Sequence, residues 1–204
     1  MVQTHTLDKP FIFDSLKNYF QRAGVRVYAA AHPMFTVRRQ WEKVVSFGGV
    51  QDEGSRESYT FFQIEALESR DRLRRMEHEI VSMLKAVFLA VDDFGDMQRS
   101  VREQLGRIHS PRGDAAQLAS ASAFLEWLLE DNYIFMGTVS YKVGRDGRAS
   151  RVDESANGAF ADPTILPIVF PGVAEHVETH MQPKSGDGRI IDLNFCTGRH
   201  HLPP

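Results

Sequence analysis

His176 and His180, four residues apart, come nearest in this chain to a metal-binding pattern. On a helix they would share a face, and Glu175 or Glu178 could complete a zinc-like set. The order is not H-E-x-x-H, because Glu178 follows His176 by two residues, and Pro171-Gly172 and Pro183 confine any helix to a few turns. No metal site is expected there, and still less at His200 and His201. His32, before Pro33, has no second ligand type at metal spacing and reads as a hydrogen-bonded structural histidine. Asp8 and Asp14 could be taken for an acid pair, yet they read more simply as a turn residue and a first-turn helix acid. Cys196 is the only cysteine, so it makes no internal disulfide, and without an evident histidine partner it reads as a passive thiol.

The elements that would have to position such groups follow from periodicity. Val2 to Thr6 reads as a strand running into the turn Asp8-Lys9-Pro10, and Pro10 suits the first position of a helix. From Phe11 to Ala23, Ile12, Leu16, Tyr19, Phe20 and Ala23 recur at helical spacing, and Gly24 supplies the stop. Val25 to Ala31 and Phe35 to Val37 have strand character on either side of Pro33, which marks an edge, bulge or bend. Phe47 to Glu57 reads as a turn or loop, and Ser58 to Leu67 as the next strand, with a hairpin between. Asp71 to Leu105 keeps a three-or-four step through Leu73, Met76, Ile80, Leu84, Val87, Val91, Phe94, Met97 and Val101, predicting one long helix or two collinear ones with a break at Gly95. The order to this point is βαββα.

Ser110-Pro111-Arg112-Gly113-Asp114 is the best boundary in the sequence, dividing residues 1–110 from a second unit, 111–204. Ala115 to Glu130 reads as a helix with Leu118, Ala121, Leu125 and Leu128 on one face. Asn132 to Val143 reads as a buried strand ending in a turn at 144–147, and Ile165 to Phe170 and Arg189 to Phe195 as short strands. The second unit reads as incomplete. The fold class expected is α+β, an antiparallel sheet with helices on one face followed by the start of a second α/β unit.

The chain has 204 residues, 42% of them hydrophobic, enough for one sizeable core or two small ones. Its 24 basic and 27 acidic side chains are interspersed, which gives no electrostatic case for a nucleic-acid or membrane partner. No apolar run is long enough to span a bilayer or resembles a signal peptide, so the expected location is cytoplasmic.

The strand, Asp8-x-Pro10, helix, Gly24 and Val25-Arg26-Val27 pattern resembles the opening of ACT domains, small regulatory βαββαβ modules. LDKPFIFDSL at 7–16, AAHPMFTVRR at 30–39, ESYTFFQIE at 57–65 and SAFLEWLLEDNYIFMGTVSY at 122–141 together resemble the N-terminal region of the large NAD-dependent glutamate dehydrogenases. IIDLNFCTG at 190–198 extends the resemblance more loosely. It implies ACT-like and other small domains ahead of a distant catalytic core that binds NAD and glutamate. No glycine-rich dinucleotide turn is present here, and GVQDEG at 49–54 lacks the spacing. No cofactor and no catalytic residue is therefore expected in this chain, with NAD belonging to the parent enzyme's core.

In ACT domains the effector loop joins the first strand to the first helix, and the resemblance maps it onto Asp8, Lys9, Pro10 and Phe11. Helix N–H groups there could receive an effector's carboxylate. Phe11 stands where such domains commonly carry glycine, and its bulk favours a packing role for the loop. The aromatic groups Tyr59, Phe61, Phe62 and Tyr133, Phe135, Tyr141 could line a PAS-like pocket, although core packing explains them at lower cost. The expected function is regulatory or oligomer-forming, with other domains and subunits of the parent enzyme as partners and an amino acid as possible effector. The rival readings are a stand-alone ACT- or PAS-like sensor and a free-standing enzyme.

Overall fold

The computed structural model describes residues 1–41, 43–49, 53–67, 69–108, 115–146, 149–170 and 190–198. His176, His180, His200, His201, Glu175 and Glu178 lie outside them, as does the composition break at Ser110–Asp114. The chain divides into two compact units, Met1–Leu84 and Lys85–Pro204.

The first unit runs β1 (Val2–Leu7), α1 (Ile12–Arg22), β2 (Val27–Ala31), β3 (Met34–Gln40), β4 (Lys43–Gly48), β5 (Ser55–Ile64) and the first part of α2 (Arg70–Asp92). Its sheet is antiparallel, ordered β1-β5-β3-β4, with β2 also paired to β5. The α+β expectation is met: β5 is central, as in a βαββ unit whose third strand inserts between the first two. β2 and β3 are successive parts of one line along β5. Ala31 opposes Phe61, Met34 opposes Ser58, and between them the Pro33 carbonyl accepts the Tyr59 N–H at 3.0 Å. Pro33 interrupts the ladder because it has no N–H to give, but the register carries through it.

The core of this unit comes from the helical spacing. Ile12, Leu16 and Phe20 are at most 1% exposed, and the rings of Phe13 and Phe20 lie 5.2 and 5.0 Å from that of Phe62. His32 lies on the same side, stacked on Phe13 and bonded through Nε2 to Ser58 Oγ at 2.7 Å, which makes it the structural histidine expected. Strand alternation turns Glu57, Tyr59 and Phe61 to the opposite face. Phe62 therefore does not share a face with Tyr59 and Phe61, and the aromatic row expected there is two rows.

Three expectations for this unit are corrected. Pro10 is not the first helical residue: α1 begins at Ile12, after Phe11 in the left-handed region at φ 70. The loop expected from Phe47 begins later, because Phe47 and Gly48 end a strand, Lys43–Gly48, that was not expected and that pairs with β3 through Val37–Phe47 and Arg39–Val44. The charged run around Trp41 hides its alternation, and Trp41 makes the turn at φ 60. β5 starts three residues earlier than expected, at Ser55.

The second unit contains the end of α2, α3 (Phe94–Ile108), α4 (Ala115–Trp127), a π-helical turn at Leu128–Asn132, β6 (Tyr133–Val143), β7 (Ala149–Gly158), a 3-10 turn at Ala159–Ala161, α5 (Leu166–Val169) and β8 (Ile190–Gly198). Its sheet is antiparallel in the order β7-β6-β8. One cluster joins Ala86, Val139, Phe160, Ile165 and Leu166, with Tyr141 packed against it. Another joins Ala90, Met97, Val101, Leu128 and Phe135, with Tyr133 against it. The unit boundary falls inside α2 because Ala86 and Ala90 are buried in these clusters.

Here too the outcome differs from expectation in places. The helical break comes at Asp93, not Gly95, and a side chain at Gly95 would meet nothing within 4 Å. The Asp93 carboxylate accepts the Gly158 N–H at 2.8 Å and so ties the break to the end of β7. α4 buries no residue of its expected stripe; only Leu128, on the turn after it, is buried. Ile165–Phe170 contains a short helix rather than a strand, because a proline at its second position, Pro167, suits a first turn. β7 had no clear sequence signal. Tyr133 and Phe135 belong to a different cluster from Tyr141, so these rings do not line one pocket. No helix of the described residues is long and apolar enough to cross a membrane.

Candidate functional site

The loop singled out by sequence, Asp8 to Phe11, connects β1 to α1. Asp8 is held at both ends of the residue: its N–H donates to the Arg56 carbonyl at 2.9 Å, and its carboxylate pairs with the Arg56 guanidinium at 3.0 Å. Asp8 thus continues the β1–β5 pairing by one residue instead of making the turn expected of it. Lys9 also has a partner. Pro10 and Phe11 form the turn itself. Phe11 caps α1 with no side-chain bond, and the first helical bond runs from the Ser15 N–H to the Phe11 carbonyl at 2.9 Å. The N–H groups of Ile12, Phe13 and Asp14 consequently have no acceptor within the helix. Asp14 lies in that first turn, as expected.

Phe11 is 45% exposed, so it is not a buried plug. Its φ of 70 is a backbone state that glycine adopts freely and that costs an L residue roughly 1–2 kcal/mol. The loop keeps a glycine-like path while carrying a phenylalanine.

The most constrained charge in the first unit lies elsewhere. Glu57 is 5% exposed and accepts from Arg39 Nε at 3.0 Å on Oε1 and from Nη2 at 2.8 Å on both oxygens, with His5 Nε2 2.5 Å from Oε2. Burial pushes this carboxyl up, but the bonds from Arg39 and His5 outweigh burial and hold it below its ordinary value. The three residues sit on β5, β3 and β1 and brace the sheet across its strands. Sequence reasoning passed over them, since nothing local marks a partner 18 or 52 residues away.

Cys196 packs against the cluster of Met97, Val101 and Phe135, and burial pushes its thiol up to about 11. It is the passive thiol expected. Among the described residues no group of three or more His, Cys, Asp or Glu side chains could hold a metal ion.

The first unit, with a central β5 and α1 packed against it, has the architecture of the ACT class. Residues 1–80 match the model of the glutamate dehydrogenase ACT1 domain. Over 97% of its length the chain is 29% identical to the NAD-specific glutamate dehydrogenase of Halomonas elongata, and over 71% it is 26% identical to that of Pseudomonas aeruginosa. It spans only 13% and 9% of those two relatives. The resemblance read from the sequence therefore holds: the chain corresponds to a region of NAD-specific glutamate dehydrogenases that includes their ACT1 domain.

Proposed function

We propose that this chain is a non-catalytic regulatory and oligomer-forming region of a large NAD-dependent glutamate dehydrogenase, whose catalytic core oxidatively deaminates L-glutamate to 2-oxoglutarate. The observation that carries the reading is the ACT1 match over the first unit, within a likeness that covers nearly the whole chain but about an eighth of the relative's length. NAD would bind the parent's core. The partners would be its other domains and subunits, in the cytoplasm, with an amino acid as possible effector and with neither nucleic acid nor membrane involved. Such a region regulates only by contacting a partner or effector better in one state of the enzyme than in another. In this proposal the loop Asp8–Phe11 is a packing element, because the Asp8 carboxylate is already engaged by Arg56.

The test compares the whole enzyme with a form lacking residues 1–84, measuring NAD reduction by glutamate, its response to amino acids, and particle mass. Retained turnover with an altered response or mass supports the proposal. Turnover by the isolated 204-residue chain, or a deletion without effect on either property, overturns it.

A further inference from the structure

α4 (Ala115–Trp127) is weakly polar all the way round, with Glu126 its only ionisable residue, and yet it buries none of its 13 residues. A helix of that composition normally has both of its faces covered. Its inner side has a neighbour: Leu125 packs against the cluster of Met97, Val101 and Phe135, and half-buried Leu118 lies two turns earlier on the same side. The outer side is bare. Ala116, Ala119, Ser120, Ala123, Phe124 and Trp127 recur there at helical spacing and are all exposed, Phe124 at 57% and Trp127 at 42%.

This outer stripe is graded along its length. Its first half is small, and the Ser120 hydroxyl donates to the Ala116 carbonyl at 3.0 Å, so that half presents a shallow surface with its one side-chain proton already spent. Its second half is bulky, with the Phe124 ring stacked on that of Trp127 at 6.1 Å and the indole steadied edge-on by Tyr133 at 5.4 Å. A stripe small at one end and bulky at the other complements itself when turned end to end. Two copies related by a two-fold axis set Trp127 against Ala116 and Phe124 against Ala119, with Ser120 opposite Ala123 at the centre. No charge stands in the stripe either to repel its own image or to call for a partner of opposite sign.

We infer that α4 pairs antiparallel with α4 of a second copy of this chain, about a two-fold axis midway along the helix. Phe124 and Trp127 each bring roughly 100 Å² of exposed ring to the contact. Two helices about 20 Å long bury in all less than the ~1,200 Å² of a stable interface, so the pair comes apart on dilution of the isolated chain. In a larger assembly, where other contacts hold the copies together, the same pairing is a local one and closes without that loss. The inference deepens the oligomer-forming part of the proposed function and rests on it for its role in the enzyme, but not for the pairing itself.

The experiment is sedimentation equilibrium of the 204-residue chain between about 10 µM and 1 mM, where a reversible monomer–dimer equilibrium is expected. Ala116→Glu puts a charge against the second copy's indole, at a first-turn position where an acid suits the helix dipole. It and Phe124→Ser should each weaken dimerisation at least about tenfold, with the melting temperature of the dilute monomer unchanged. Orientation is read from cysteines: a mixture of Ser120→Cys and Ala123→Cys chains under mild oxidation should crosslink one variant to the other in preference to itself. A chain still monomeric at about 1 mM overturns the inference. So does a dimer indifferent to both Ala116→Glu and Phe124→Ser, or one whose crosslinks join like with like, as parallel helices would. Any of these would leave the proposed function standing, since that is read from deletion of residues 1–84 in the whole enzyme, and α4 lies outside them.

Discussion

Arg39 grips Glu57 with both arms of its guanidinium fork, Nη2 lying 2.8 Å from each carboxylate oxygen, across the pairing of β3 with β5. His5 reaches the same carboxylate from β1 on the other side. A nearly buried acid thus fastens three strands, and the stability it contributes depends on its staying charged.

Because the folded-state value of Glu57 is depressed, its contribution is fully present above the carboxyl's ordinary value of 4.5 and is lost as pH falls through the depressed one. Urea midpoints measured between pH 7 and pH 3 should fall more steeply for the wild type than for Glu57→Gln. Arg39→Ala should cost about 1–2 kcal/mol at pH 7, a figure held down by the partial exposure of Arg39. Parallel pH profiles for wild type and Glu57→Gln would remove the acid from this role.

Phe11 pays for a left-handed backbone with no burial to match. Replacing it with glycine should leave stability unchanged or raise it by up to about 1 kcal/mol, the relieved strain being offset by the entropy of a freer unfolded chain. Phe11→Val, β-branched in the same backbone state, should lower it by more than about 1 kcal/mol. Chemical denaturation of the two variants checks the pair, and equal losses in both would mean that the phenyl ring itself is needed.

Gly137 in β6 leaves room for Phe160: a β-carbon there would lie 2.5 Å from that ring's Cδ2 and 3.2 Å from the Phe160 backbone nitrogen. Gly137→Ala should therefore destabilise the second unit by about 2 kcal/mol or more through overpacking. The double variant Gly137→Ala, Phe160→Leu should recover part of the loss. Melting temperatures across this set measure the effect, and a harmless single variant would show that the ring can move aside.

The Cys196 thiol, raised by burial to about 11 from an ordinary 9, holds about a hundredfold less thiolate at neutral pH than a free cysteine. Labelling by a thiol reagent at pH 7.5 should be slower in the folded chain by at least that factor and should recover its full rate in denaturant. Rapid labelling of the native protein would contradict the burial.

Much of the first unit was legible along the chain. The spacing of Ile12, Leu16 and Phe20 announced α1 and the face it buries, and the long three-or-four step announced α2 and α3, because helical periodicity is a local property written into neighbouring residues. The quoted segments carried the likeness to glutamate dehydrogenases. β4 was missed because Arg38 to Lys43 breaks up its alternation, and the short helix at Leu166 was mistaken for a strand because four apolar residues fit either period.

Sequence by itself determined the fold class, the principal helices, His32 as a structural residue and the family likeness. Only the tertiary structure decided that β2 and β3 share one register across Pro33, that Glu57 is fastened by Arg39 and His5, and that the break at Asp93 is tied to Gly158. It also brought Tyr19 of α1 to Glu79 of α2, where the hydroxyl donates to the carboxylate at 2.6 Å. The division has a physical cause: helical and strand periods arise between near neighbours, whereas strand register and the meeting of charges from distant segments arise only when the chain packs, and leave no local mark on either partner.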